Sequence, residues 1–289
     1  MPRSQPVDGF SLAYDRHGEG PPVVLLHGWP GMRTDYRALV PLLPGFDVVV
    51  PDLRGFGESD KHVADPAVYY SAAAQARSVA GLLEELALDA AIVVGYDVGI
   101  RVAQALTRAQ PVRVRALVLA PPLPGIGQRI LTPDAMREFW YQPFHRLDLA
   151  ERLIDGNPDA VRSYLRHFWD HWGGPGFTLP DAELDALVEI YAAPGAFVAS
   201  INWYRAGSGG VAMSLAEQVP APQDRIAAPT RVLWPEHDPL FPREWGDRLD
   251  EFLADVIITD MPGTGHFSPL EAPKAFAAAI RELSAWTRA

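Results

Sequence analysis

Short runs of apolar, often β-branched residues recur along this chain and are separated by stretches with a helical period. Val23-Val24-Leu25-Leu26, Phe46-Asp47-Val48-Val49-Val50, Ala91-Ile92-Val93-Val94, Ala116-Leu117-Val118-Leu119, Thr230-Arg231-Val232-Leu233-Trp234 and Val256-Ile257-Ile258-Thr259 are near-continuous and of strand length. That is the pattern of strands buried on both faces of a parallel sheet. Phe10 to Asp15 instead alternates apolar and polar, as a half-exposed edge strand does, before the turn Gly18-Glu19-Gly20-Pro21-Pro22. Between the strands, Tyr70 to Leu88 is helical in period, and Val98, Val102, Ala105, Leu106 and Ala109 fall on one helical face that Pro111 ends. An alanine-rich helix starts near Pro273. Strands alternating with helices predict an α/β fold, a mostly parallel central sheet flanked by helices.

The alternation stops at Pro121-Pro122-Leu123-Pro124-Gly125. From Ile126 to Val219 no buried strand is evident; the stretch is helical in pattern, rich in tryptophan and tyrosine, and broken at Gly173-Gly174-Pro175-Gly176. It reads as a helical cap over the strand ends, where aromatic residues would exclude water and shape an apolar pocket. The expected organisation is a core of residues 1–125 and 220–289 with a cap of residues 126–219 inserted into it.

The junction at Gly95-Tyr96-Asp97-Val98-Gly99 draws the most attention. Glycines two residues either side of a central residue allow a tight strand-to-helix turn, the frame of a nucleophile elbow. The centre here is Asp97. Its carboxylate would lie at the positive end of the following helix. A serine that attacked an alkyl carbon would leave an ether, which water does not readily cleave. A carboxylate leaves an ester, which it does. The elbow thus points to substrates with an electrophilic saturated carbon, such as epoxides or alkyl halides. The plain alternative, Asp97 as an ordinary helix N-cap, stays open at this stage.

Composition narrows the classes. With 289 residues, 48% of them hydrophobic, the chain can bury a full core. Zero cysteines exclude disulfides, thiolate metal sites and a cysteine nucleophile. A formal net charge of -11 argues against nucleic acid or an anionic membrane as partner. The first residues lack an apolar core of signal-peptide length, and no run approaches the roughly 18 apolar residues of a membrane helix, so a cytoplasmic chain is expected.

Three further loops follow predicted strands. Asp52-Leu53-Arg54-Gly55-Phe56-Gly57 reads as a turn that Asp52 and Arg54 fix by ion pairs and backbone hydrogen bonds. Pro235-Glu236-His237-Asp238-Pro239 offers Asp238 as the acid partner, with Glu236 as a substitute, and Gly265-His266-Phe267 offers His266 as the base. His237 competes with His266 in principle, but it adjoins the acid it would have to pair with. His27, in His27-Gly28-Trp29-Pro30-Gly31, reads as a structural histidine bonded to loop backbone.

With these pieces placed, the sequence resembles the α/β-hydrolase superfamily over nearly its whole length, and the epoxide hydrolases within it. His27-Gly28-Trp29-Pro30 is similar to that family's oxyanion loop, Gly95-Tyr96-Asp97-Val98-Gly99 to its aspartate elbow, Glu236-His237-Asp238-Pro239 to its acid loop and Gly265-His266-Phe267 to its histidine loop. Asn202-Trp203-Tyr204-Arg205 resembles the cap segment that carries a ring-opening tyrosine, and Tyr141-Gln142 the segment that carries the other. The resemblance implies an oxyanion hole from the Trp29 and Val98 N–H groups, catalytic Asp97, Asp238 and His266, and ring-opening Tyr141 and Tyr204. Trp140 is an alternative second donor through its indole N–H. Trp140, Trp203 and Phe267 are candidate substrate contacts.

Related families differ at informative positions. Haloalkane dehalogenases place a tryptophan after the nucleophile and an asparagine after His-Gly, where this chain has Val98 and Trp29. Fluoroacetate dehalogenases carry an arginine pair after the nucleophile; Arg101 matches the second, and Val98 stands at the first. The expectation is an epoxide hydrolase acting on an apolar small-molecule epoxide without cofactor or metal, with a haloalkanoate dehalogenase as the alternative.

Overall fold

The computed structural model describes residues 1–286. Its core is a seven-stranded sheet in the order β1-β3-β2-β4-β5-β6-β7. The strands are β1 (Tyr14–His17), β2 (Pro22–Leu26), β3 (Asp47–Pro51), β4 (Ala91–Gly95), β5 (Val114–Leu119), β6 (Thr230–Pro235) and β7 (Val256–Met261). All neighbours pair in parallel except β1, which runs antiparallel to β3. Five of the six apolar runs are inner strands, and every residue of β3, β4 and β6 is buried, as strands covered on both faces require. The sixth, Val256 to Thr259, lies in the edge strand β7, where Ile257 and Thr259 are exposed because no strand or helix among the described residues covers that side.

The edge strand departs from the expected position. Phe10, Leu12 and Ala13 are buried, but they reach other segments through single bridges, Val7 with Phe10 and Arg3 with Ala13. The ladder itself begins at Tyr14.

Helices α1 (Ala72–Glu85) and α2 (Val98–Ala109) follow β3 and β4, and α8 (Pro273–Trp286) closes the described chain. The Ser71 hydroxyl accepts the Ala74 N–H at 3.3 Å and starts α1 later than periodicity alone indicates. Between β5 and β6 the described residues form helices and no strand of the sheet, chief among the helices α3 (Tyr141–His145), α4 (Pro158–Trp172), α5 (Asp181–Tyr191), α6 (Ala196–Arg205) and α7 (Gly210–Ala216). Among the described residues no single helix is long and apolar enough to cross a membrane.

Parallel pairing puts the carboxyl ends of β2, β4, β6 and β7 on one edge of the sheet, where α/β folds place their sites. Here β2, β4 and α2 converge with no space for side chains. A Cβ on Gly95 would lie 2.6 Å from the Gly99 carbonyl carbon, and one on Gly99 would overlap the Leu26 carbonyl oxygen. Gly99→Ala is therefore expected to lower unfolding free energy by at least about 3 kcal/mol, or to abolish folding, because only backbone stands in the way of the added methyl. Urea unfolding followed by circular dichroism would measure it.

Candidate active site

Asp97 joins β4 to α2 with φ +48° and ψ −117°, in the left-handed half of conformational space that costs a non-glycine residue about 1–3 kcal/mol. Its own N–H donates to the Pro121 carbonyl at 3.1 Å, and the Gly99 N–H to the Tyr96 carbonyl at 2.9 Å. Its side chain makes no N-cap hydrogen bond. Instead Asp97 Oδ1 accepts the Trp29 backbone N–H at 2.7 Å, and Oδ2 lies 3.6 Å from His266 Nε2. The simple capping alternative therefore does not describe this residue.

Trp29 is positioned by the loop after β2. A Cβ on Gly28 would stand 2.7 Å from Asp97 Cβ, so only glycine lets this loop approach the elbow. His27 braces it, with Nδ1 against the Gly28 carbonyl at 2.9 Å and Nε2 accepting the Leu53 N–H at 3.0 Å. Burial pushes its pKa down, which suits a neutral structural histidine. Asp52 accepts the Arg33 and Glu58 N–H groups, and Arg54 bonds Asp8, Gln75 and Ser78, as expected of a fixed turn.

His266 is fully buried, and its Nδ1 lies 2.8 Å from Asp238 Oδ2. Asp238 Oδ1 in turn accepts the Leu240 N–H at 2.9 Å. Burial opposes the imidazolium, but the Asp238 charge and hydrogen bond, followed by those of Asp97, outweigh it and push the pKa up to about 10. The alternatives fall away on position: His237 is 43% exposed beside Glu236, and Glu236 accepts the Gly263 N–H on the surface.

Opposite Asp97 stand Tyr141 and Tyr204, both buried. Their rings meet edge to face at 5.5 Å, and both line the cavity at Asp97. Gln142 Nε2 donates to the Tyr141 hydroxyl at 3.1 Å. Burial first, then nearby negative charge, holds both phenols well above their usual pKa, so they are neutral donors. The Trp29 ring stacks on Tyr141 at 5.6 Å and meets Tyr204 edge-on at 5.8 Å.

Asp97, Val98, Tyr141, Trp203 and Tyr204 line one small cavity. Two expected contacts are not in it. Trp140 is 41% exposed and stacks on Phe168; one residue along a helix is a turn of roughly 100°, so Tyr141 faces inward and Trp140 outward. Phe267 is buried against Trp169 at 3.7 Å, where it packs the histidine loop. The cavity also has walls not singled out as site residues from sequence: Gln142, Ser208, Phe241 and Arg101, the last noted only against the dehalogenase pattern. Beneath the elbow, the Tyr96 hydroxyl donates to Asp35 Oδ2 at 2.5 Å, a pair separated too far in sequence for any local signal. Burial pushes Asp35 up to about 7 despite that hydrogen bond.

Set against known proteins, the chain is 28% identical over 277 residues to a soluble epoxide hydrolase of Corynebacterium sp. (strain C12), covering 93% of this chain and 91% of the relative. It is also 28% identical over 281 residues to haloalkane dehalogenase 2 of Mycobacterium tuberculosis (strain ATCC 25618 / H37Rv), covering 94% and 90%. Among solved structures it superposes on ALR0039 of Nostoc sp PCC 7120 with TM-score 0.85 and 26% identity, covering 98% and 97% of the two chains. The alpha/beta hydrolase fold family matches residues 21–273, and with this sheet, elbow and site edge the chain belongs to that family of hydrolases.

Proposed function

We propose that the chain is an epoxide hydrolase that opens an oxirane to a vicinal diol through an ester on Asp97. The observation that carries this reading is the carboxylate at the elbow, sharing a cavity with two buried phenols whose rings meet edge to face. One oxygen of Asp97 attacks an oxirane carbon and the C–O bond breaks. The alkoxide that forms is the charge that Tyr141 and Tyr204 hydroxyls stabilise by donating. The helices between β5 and β6 act as a cap that keeps water from this step, and the Trp203 and Phe241 walls favour an apolar epoxide.

The second step needs a base, and the same charges supply one at the right time. In the free enzyme His266 sits between two carboxylates and holds a proton. Esterification removes the Asp97 charge and makes the imidazole less basic, so its proton passes to the alkoxide formed on ring opening, and the neutral imidazole then takes a proton from water. That water attacks the ester carbonyl, Asp238 keeps the imidazole oriented, and Trp29 and Val98 N–H groups hold the tetrahedral oxyanion. Collapse releases the diol and restores the carboxylate.

A haloalkanoate dehalogenase using the same nucleophile is the second reading, supported by Arg101 in the cavity wall and by the mycobacterial relative. Glu217 lies 3.7 Å from Arg101 and already matches its charge, which favours a neutral substrate.

His266→Gln is expected to lower diol release about 10³-fold or more while leaving a protein adduct of substrate mass on Asp97, seen by mass spectrometry. In a single turnover in ¹⁸O-water the wild type should carry label in Asp97 rather than in the diol. Halide release from chloroacetate or fluoroacetate with no diol from any epoxide would favour the second reading instead. Tyr204→Phe should slow ester formation by roughly 10²-fold, and Trp140→Phe should leave it unchanged, in stopped-flow fluorescence. Because His266 is raised above its unfolded value of about 6.5, its contribution to stability is complete below that pH and is lost as pH rises through about 10. NMR of the imidazole nitrogens should show the proton retained past pH 8 in the wild type and released at lower pH in Asp97→Asn.

A further inference from the structure

The cavity at Asp97 holds only about 10 Å³, room for roughly one water. No organic substrate fits until something moves. Two larger cavities abut it, one on each side of α7. The first, about 190 Å³, is separated from Asp97 by Gln142 and Tyr204. The second, about 550 Å³, lies among α1, α2 and α7 and is separated from Asp97 by Arg101 and Ser208.

The two partitions differ in how firmly they are held. Gln142 is fixed at both ends: its Oε1 accepts the Val211 N–H at 3.0 Å, and its Nε2 donates to the Tyr141 hydroxyl. Displacing it would disturb the phenol pair. Arg101 is buried yet poorly satisfied. Its guanidinium reaches Leu123 O at 3.4 Å, Gln104 Oε1 at 3.5 Å and Glu217 Oε1 at 3.7 Å, and its buried Nε has no partner. Its counter-charge, Glu217, directly follows α7, where Glu217 Oε2 accepts the Gly125 N–H at 2.6 Å.

The segment that carries Glu217 is built to swing. Ala206-Gly207-Ser208-Gly209 precedes α7 and Val219-Pro220-Ala221-Pro222 follows it. Gly207 has φ +75° with open space around it, and α7 buries only Gly210 and Ser214 while Leu215 is 46% exposed. Glycine-flanked short elements of this kind absorb backbone rotation at little cost.

We propose that substrate reaches Asp97 through the cavity between α2 and α7, and that the Arg101–Glu217 ion pair is its gate. An outward swing of the C-terminal end of α7, pivoting on the Val211–Gln142 bond, breaks the Glu217–Gly125 bond and draws the carboxylate away. The guanidinium, weakly held on the inside, follows its counter-ion, because a buried charge left alone is costly. Arg101 then leaves an opening beside Ser208, which stays bonded to the Ala72 N–H, and substrate passes through it. The route rests on the proposed reaction only in taking Asp97 as its destination.

Hydrogen exchange tests the gate without substrate. Residues 211–216 should exchange faster than α2 in the wild type, and Glu217→Gln should speed them roughly fivefold further while α2 stays unchanged. Exchange as slow as α2, or unaffected by the substitution, overturns the gate. Turnover of styrene oxide against propylene oxide tests the route. Met213→Trp, which fills the outer cavity, should slow styrene oxide more than about tenfold and propylene oxide less than about twofold, with Ala212→Trp sparing both. The reverse pattern would put the entrance on the other flank and overturn the route. If the wild type turned over neither epoxide, the reaction assigned to Asp97 would fall while the exchange measurement still judged the gate.

Discussion

Everything at this site depends on how closely backbone approaches backbone at the end of β4. Gly28, Gly95 and Gly99 stand where a methyl group would strike another segment, and that crowding holds Asp97 in a backbone conformation that an isolated aspartate avoids. The strain is offset by hydrogen bonds on both sides of the bend, Asp97 N–H to Pro121 and Gly99 N–H to Tyr96. A side chain on a relaxed loop would sample many positions. This one meets the Trp29 N–H at hydrogen-bond distance because no other arrangement of the three segments fits.

Buried charge is the second organising factor. His266 lies out of contact with solvent between Asp97 and Asp238, an arrangement stable only because each group offsets the desolvation of the next. The helices between β5 and β6 help to hold it there. The Trp172 ring meets the imidazole edge-on at 5.1 Å, and the Trp172 carbonyl accepts the His266 N–H at 2.8 Å. Glu271 ties the two loops by accepting the N–H groups of Gly174 and Gly265. The glycines that interrupt the helical pattern near residue 173 are thus a docking point for the histidine loop, where Gly174 and Gly265 leave no space for side chains.

Much of this was legible in the sequence, for identifiable reasons. Central parallel strands announce themselves because burial on both faces leaves nothing but apolar residues, as in Val23 to Leu26 or Ile92 to Val94. Asp97 and Asp238 could be placed because each follows such a strand closely, and His266 because it follows the last apolar run, the edge strand β7; strand order then brings the loops together. The edge strand starts at Tyr14 and not at Phe10, because the alternation from Phe10 to Ala13 reflects burial under the N-terminal segment and not a ladder. Adjacent aromatics could not be separated into inner and outer without the helix in hand, so Trp140 and Tyr141 stayed open. Pairs distant in sequence, Asp35 with Tyr96 and Arg101 with Glu217, carry no local pattern at all.

The helical insertion leaves the sheet at the end of β5 and returns at the start of β6, and those strands are parallel neighbours in hydrogen-bonded register, Leu117 beside Thr230. To the sheet, the whole excursion is a single crossover of unrestricted length. Helices could be lengthened, traded or reshaped there without altering a strand pairing, so pocket shape can drift across generations while Asp97, Asp238 and His266 keep their places. In such a chain, novelty in what is accepted would accumulate above the strand ends, and the chemistry beneath would be inherited almost unchanged.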